Sequence, residues 1–63
     1  MQVVTVSTWA RDFGISTELA DDLIRLEVIR KGKGLVIRNG HRMIDPRELA
    51  RAYPLFRSKP KRH

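Results

Sequence analysis

Apolar residues recur along this chain in two rhythms, one helical and one alternating. Val6, Trp9, Ala10 and Phe13 fall at offsets of three, four and seven, which is one face of a helix. Thr5 precedes that run as an N-cap, its hydroxyl placed to accept a free backbone N–H of the first turn. Gly14 follows it where a left-handed residue commonly ends a helix. Ile15 then leads to Ser16, a second N-cap. Beyond it Leu19, Leu23 and Leu26 stand at helical spacing, with Ala20 and Ile24 widening the stripe. The opposite face carries Thr17, Glu18, Asp21, Asp22 and Arg25. Two short helices joined by about three residues around a glycine make the pattern of a helix-turn-helix.

The alternating rhythm appears at the start and in the middle. Met1 to Val6 is valine-rich and alternates loosely, predicting a short edge strand at Gln2–Val4. Leu35–Arg38 and His41–Ile44 flank Asn39-Gly40, a pair that tolerates the two positive-φ residues of a type I′ turn and so signals a hairpin. The register pairs Arg38 with His41, Ile37 with Arg42, Val36 with Met43 and Leu35 with Ile44. Leu35, Ile37 and Ile44 then cover the core while cationic side chains gather at the tip. Arg30–Gly34, basic with two glycines and no periodicity, reads as a loop.

Asp45-Pro46-Arg47-Glu48 is the clearest helix start: an N-cap carboxylate, proline at the first helical position and glutamate at the third, a capping box with Asp in place of Ser or Thr. Leu49, Ala52 and Tyr53 give that helix a packing face, Pro54 stops it, and Leu55 and Phe56 fold back on the core. Residues 57–63 are expected to be a disordered basic tail, since they have nothing to bury. The expected class is α+β: a short N-terminal strand, two helices, a hairpin and a third helix over residues 1–56.

Composition narrows the function. Sixty-three residues make one domain with no room for a deep substrate cleft, and a core this small stands to gain from dimerisation or a bound partner. There is no cysteine, hence no disulfide, thiolate metal site or cysteine nucleophile. No apolar run approaches the roughly 20 residues of a membrane span, and the N-terminus lacks the pattern of a signal peptide, so a cytoplasmic protein is expected. Charge is divided between the halves. Residues 1–29 carry Arg11 and Arg25 against Asp12, Glu18, Asp21, Asp22 and Glu27, a local net of −3. Residues 30–63 carry eleven basic side chains against Asp45 and Glu48, a net of +9. Such asymmetry, with a pI near 10.9, favours a nucleic-acid partner for the second half over an anionic membrane surface.

Residues 4–53 resemble the excisionase-type and MerR-like winged helix-turn-helix domains. The segments that carry the resemblance are Thr5-Val6-Ser7-Thr8-Trp9-Ala10-Arg11-Asp12-Phe13-Gly14-Ile15-Ser16, Leu23-Ile24, Ile37-Arg38-Asn39-Gly40-His41-Arg42-Met43-Ile44-Asp45 and Glu48-Leu49. The resemblance implies a second helix in the major groove of DNA and a hairpin, the wing, along the adjacent backbone or minor groove. It also implies an accessory role of a phage or mobile element in DNA recombination, or a small transcriptional regulator in a bacterial or phage-infected cell, with DNA bending and assembly along DNA. The chain departs from the family habit on that second helix. Its outer face shows Glu18, Asp21 and Asp22, and Glu27 stands where a glycine is usual.

The expected DNA contacts follow from this reading. Ser16 and Thr17 meet phosphate at the start of the second helix, and Arg25 reaches the flanking backbone. Arg38, Asn39, His41 and Arg42 form the wing, with Lys31 and Lys33 from the preceding loop. Lys59, Lys61 and Arg62 add phosphate contacts from the tail. The partners expected are duplex DNA and, beside it, further copies along the DNA or a recombinase or regulatory protein. No membrane and no small-molecule substrate are called for. The alternative is a protein-interaction module that docks its acidic helix face on a basic protein. Asp21 and Asp22 also have nearby arginines with which to pair. No cofactor, metal or catalysis is expected. His41 and His63 have no partner ligands, adjacent Asp21 and Asp22 point about 100° apart, and Gly32-Lys33-Gly34 lacks the spacing of a P-loop.

Overall fold

The computed structural model describes residues 2–57. Three helices and a three-stranded antiparallel sheet follow one another as β1 (Val4–Thr5), α1 (Val6–Phe13), α2 (Thr17–Arg25), β2 (Leu35–Arg38), β3 (His41–Ile44) and α3 (Pro46–Ala52), with a closing 3₁₀ turn at Pro54–Phe56. The sheet order is β1-β3-β2, so the hairpin's second strand is central. The expected tail, residues 57–63, lies outside the described residues except for Arg57, and so do Lys59, Lys61 and Arg62.

The first strand is shifted from the expected Gln2–Val4. Val4 pairs with Ile44 and Thr5 with Met43. Continuing that register would set Val3 against Asp45 and Gln2 against Pro46. Asp45 gives its N–H to the Gly34 carbonyl at 2.9 Å, and proline has none to give, so the ladder stops at Val4. Thr5 serves two elements: it is the last strand residue, and its hydroxyl accepts the Thr8 N–H as the N-cap of α1. Ser16 caps α2 in the same way, accepting from the Leu19 N–H at 3.0 Å.

Both of these helices end in the same hydrogen-bond pattern, with different residues at its left-handed position. After α1, Gly14 at φ 94 donates to the Arg11 carbonyl while Ile15 donates to Ala10. After α2, Glu27 at φ 64 donates to Ile24 while Val28 donates to Leu23. These are Schellman closures. Glutamate in this conformation carries the Cβ–carbonyl repulsion that glycine avoids. Glu27→Gly should therefore stabilise the fold by about 0.5–1 kcal/mol, raising the urea midpoint at unchanged slope. An unchanged or lowered midpoint would contradict this account of the turn.

The turn after α2 returns the chain inward and buries Ile29 completely, a core residue that helical periodicity does not pick out. The buried set is Val6, Trp9, Ala10, Ala20, Ile29, Ile44 and Leu49, with Phe13, Leu23, Ile24, Leu35, Tyr53 and Phe56 among those packed around it. α2 thus faces inward with Ala20, Leu23 and Ile24, while Leu19 and Leu26, expected in the stripe, are 46% and 71% exposed. Ala20 is small enough to let α1 and α2 approach, and this turns the larger leucines outward. Ile37 is likewise exposed rather than covering the core, because the hairpin outruns the hydrophobic layer beneath it. Phe56 folds back as expected, but Leu55 remains 84% exposed.

The hairpin has the expected register from Leu35↔Ile44 to Arg38↔His41, with Asn39 at φ 54 and Gly40 at φ 78 in its turn. Asp45 caps α3, one carboxylate oxygen accepting from the Arg47 and Glu48 N–H groups at 3.1 and 3.2 Å. The reciprocal half of the capping box is replaced. Glu48 accepts instead from the Gly34 N–H at 3.0 Å, while the Asp45 N–H goes to the Gly34 carbonyl. The Gly34 peptide is inserted between cap and glutamate, tying the base of the hairpin to the start of α3.

Candidate nucleic-acid interface

Three elements meet around one open groove. The pairing of Thr5 with Met43 sets the start of α1 beside the hairpin, and α2 packs on α1 with its first turn turned to the same side. The groove is lined by Thr5 at the end of β1, Val6 and Ser7 of α1, Thr17 and Asp21 of α2, and the hairpin from Arg38 to Met43. Its walls are the hydroxyl residues Thr5, Ser7 and Thr17 at helix starts on one side, and Arg38, Asn39, His41 and Arg42 on the other. Helix starts carry partial positive charge, so walls and hairpin together favour an anion.

Of the expected contact residues, Thr17, Arg38, Asn39, His41 and Arg42 come together here. Ser16 stands just outside, its hydroxyl engaged in capping α2. Lys31 and Lys33 are not part of the groove. They precede β2, whose four residues separate them from the tip by roughly 13 Å at strand spacing. Arg25 lies outside the groove, in a smaller hollow with Glu18, Asp21, Asp22 and Arg42. Thr5 and Ser7 line the groove without having been singled out as contacts. Their signal was legible as an N-cap and an exposed hydroxyl in the first turn of the helix, but only the β1–β3 pairing places them at the hairpin.

Two ion pairs organise the charge. Arg25 pairs with Asp22 one turn away on α2. Arg42 reaches across from the hairpin to Asp21 at 3.0 Å. Both aspartates thus hold an arginine. Arg42 projects on the sheet face that Leu35, Ile37 and Ile44 share, which aims it back at α2 rather than outward beside Arg38. The Asp21–Arg42 pair is the seam between the two charge fields of the chain. On the groove side Arg38 and Arg42 face Asp21 alone; on the hollow side Glu18, Asp21 and Asp22 outnumber Arg25 and Arg42.

The aromatic residues stay away from this surface as stacking platforms. Trp9 is buried, stacked on Phe13 at 5.2 Å between ring centroids and edge-on to Phe56 at 5.9 Å. Among the described residues no group of three or more His, Cys, Asp and Glu is placed to hold a metal ion. No helix among them is long and apolar enough to cross a membrane. Comparison of the chain with protein-family models, with curated proteins and with solved structures found no significant match.

Proposed function

We propose that the chain is a winged helix-turn-helix protein that binds duplex DNA, with α1 and α2 as the helix pair and the β2–β3 hairpin as the wing. The observation that carries this reading is the groove where the start of α2 meets Arg38, Asn39, His41 and Arg42. In this reading a backbone strand runs through the groove. Thr17 and the free N–H groups of α2 meet one phosphate, Arg38 and Arg42 flank it, and Asn39 and His41 reach the adjoining groove. Lys31 and Lys33 would serve a more distant stretch of backbone, and the basic residues beyond Arg57 would add charge without specificity. The role is that of an excisionase-like accessory factor of a phage or mobile element, or of a small regulator. A domain of this size presents a small interface, so useful specificity calls for several copies or a protein partner on the same DNA. The reading requires no cofactor and no catalytic residue, and it places the protein with the nucleoid in the cytoplasm.

The test is a salt series of duplex binding by the intact chain and by Arg38→Ala/Arg42→Ala, with circular dichroism as the control for folding. The double variant should bind about 10-fold or more weakly at low salt. Its slope of log K against log salt should be shallower by about 0.9–1.8, one full phosphate contact from Arg38 and up to one more from Arg42, whose pairing with Asp21 offsets part of its share. A folded protein whose binding is absent, or indifferent to salt, overturns the proposal. That outcome would favour the second reading, a protein-docking role for α2, which the outward-facing Leu19 and Leu26 beside Glu18 and Asp22 support.

A further inference from the structure

Arg42 is the hairpin cation aimed most directly at the second helix, and its guanidinium is already taken. The ion pairs among the described residues are Arg25–Asp22 and Arg42–Asp21. The first joins neighbours on one helix. The second joins residues 21 positions apart, from the hairpin to α2, and Asp21 borders both the groove and the acidic hollow behind it. A carboxylate meets a guanidinium with two oxygens much as a phosphodiester does. Both side chains of this pair are about half exposed, 48% for Arg42 and 46% for Asp21, so a phosphate entering the groove has access to both.

We infer that Asp21 is an internal stand-in for phosphate: it holds Arg42 in the unbound protein and yields it to a DNA phosphate seated in the groove. The inference rests on the DNA-binding reading and assigns Asp21 an autoinhibitory role within that site. Exposed pairs of this kind are weak, worth about a two- to five-fold equilibrium, so the exchange is open to any well-placed phosphate. It nevertheless lowers affinity at this contact. A phosphate that takes Arg42 releases a DNA counterion, but the carboxylate left bare beside it repels the duplex, which offsets part of the gain and of its salt dependence. A duplex touching only Arg38 at the tip leaves the pair closed. One lying across α2 and the hairpin together opens it. The cost of the exchange therefore falls on a duplex that spans both elements, and an encounter at the tip alone gains nothing from Arg42.

The test is binding of the full chain to a labelled duplex of arbitrary sequence, followed by fluorescence anisotropy across a salt series, with circular dichroism confirming each fold. The variants are Asp21→Asn, Glu18→Gln, Arg42→Ala and Asp21→Asn/Arg42→Ala. Glu18→Gln removes the same unit charge from the same helix, but Glu18 belongs to neither ion pair. Asp21→Asn should tighten binding about five-fold at low salt and steepen the log–log salt slope by up to about 0.9. Glu18→Gln should gain about two-fold at most at low salt, by reduced repulsion alone, a gain that fades as salt rises and so steepens the slope only slightly. In the Arg42→Ala background the gain from Asp21→Asn should shrink to that of Glu18→Gln. Equal gains from Asp21→Asn and Glu18→Gln, or an undiminished Asp21→Asn gain without Arg42, overturn the exchange while leaving DNA binding standing. A folded parent chain that binds no duplex at any salt overturns the DNA-binding reading and this inference with it.

Discussion

Alanine at Gly34 should destabilise the protein by about 2–5 kcal/mol, combining the cost of a left-handed alanine with that of overpacking. Gly34 is buried at φ 106, and a Cβ built there would stand 2.7 Å from Leu49 Cβ, 2.9 Å from its Cδ1 and 3.0 Å from its Cα. Two of these three atoms are the Cα and Cβ of α3, so rotating or shortening the Leu49 side chain offers no relief. The glycine peptide is also held on both sides, by the Glu48 carboxylate and by the Asp45 N–H. Retreat from Leu49 would strain or break both bonds, and with them the joint that aims the hairpin. Chains of 63 residues hold about 3–9 kcal/mol in all, so the loss takes a large share of the total. A thermal melt should show Tm lower by about 10 °C or more. Gly32→Ala is the matched control. Gly32 sits at φ 85 with nothing within 4 Å of an added Cβ, so it carries the backbone cost without the collision. Equal destabilisation by the two substitutions would show that contact with Leu49 contributes nothing.

That joint also marks the boundary of what local sequence pattern could reveal. Caps and turns were legible because their chemistry is carried by one or two adjacent residues: Thr5, Ser16, Asp45 with Pro46, and Asn39 with Gly40. The hairpin register followed from its two-residue turn. The inward face of α2 was legible only in part: Ala20, Leu23 and Ile24 stood in the predicted stripe, but hydrophobicity weights Leu19 and Leu26 above Ala20, whereas close helix packing selects the small residue. Ile29 was hidden for a related reason. It lies after a reversal whose left-handed residue is a glutamate, so the usual marker of such a turn is absent. At the groove, the hairpin residues were found by their charge and the turn that displays them. Thr5 and Ser7 were not, since their position depends on β1 pairing with β3 forty residues later. The direction of Arg42 follows from strand alternation once the buried face is known. Its partner Asp21 depends on where α2 lies in space, which no local pattern specifies.

Trp9→Ala should cost about 3–5 kcal/mol, enough to leave much of the protein unfolded at room temperature. Trp9 is 4% exposed and occupies the middle of an aromatic group drawn from distant parts of the chain. Its ring is nearly parallel to that of Phe13, at 13°, and edge-on to Phe56, at 68°. Phe56 in turn meets Phe13 at 5.5 Å and Tyr53 at 5.8 Å. Removing the indole leaves a void walled by Phe13 of α1 and Phe56 of the 3₁₀ turn, and a cavity framed by separate elements collapses poorly. The 3₁₀ turn has least to hold it otherwise, since it buries no residue completely and presents Leu55 to solvent. Phe56→Ala should therefore destabilise less than Trp9→Ala, and in that variant Trp9, the single tryptophan, still reports unfolding by fluorescence. The two losses should fall short of additive, because the Trp9–Phe56 contact can be lost only once. Circular dichroism melts of both single variants and the double variant, run in a stabilising osmolyte so that each starts folded, measure this coupling. Strict additivity would mean that Phe56 is held by Phe13 and Tyr53 without Trp9, and that the tryptophan stabilises α1 alone.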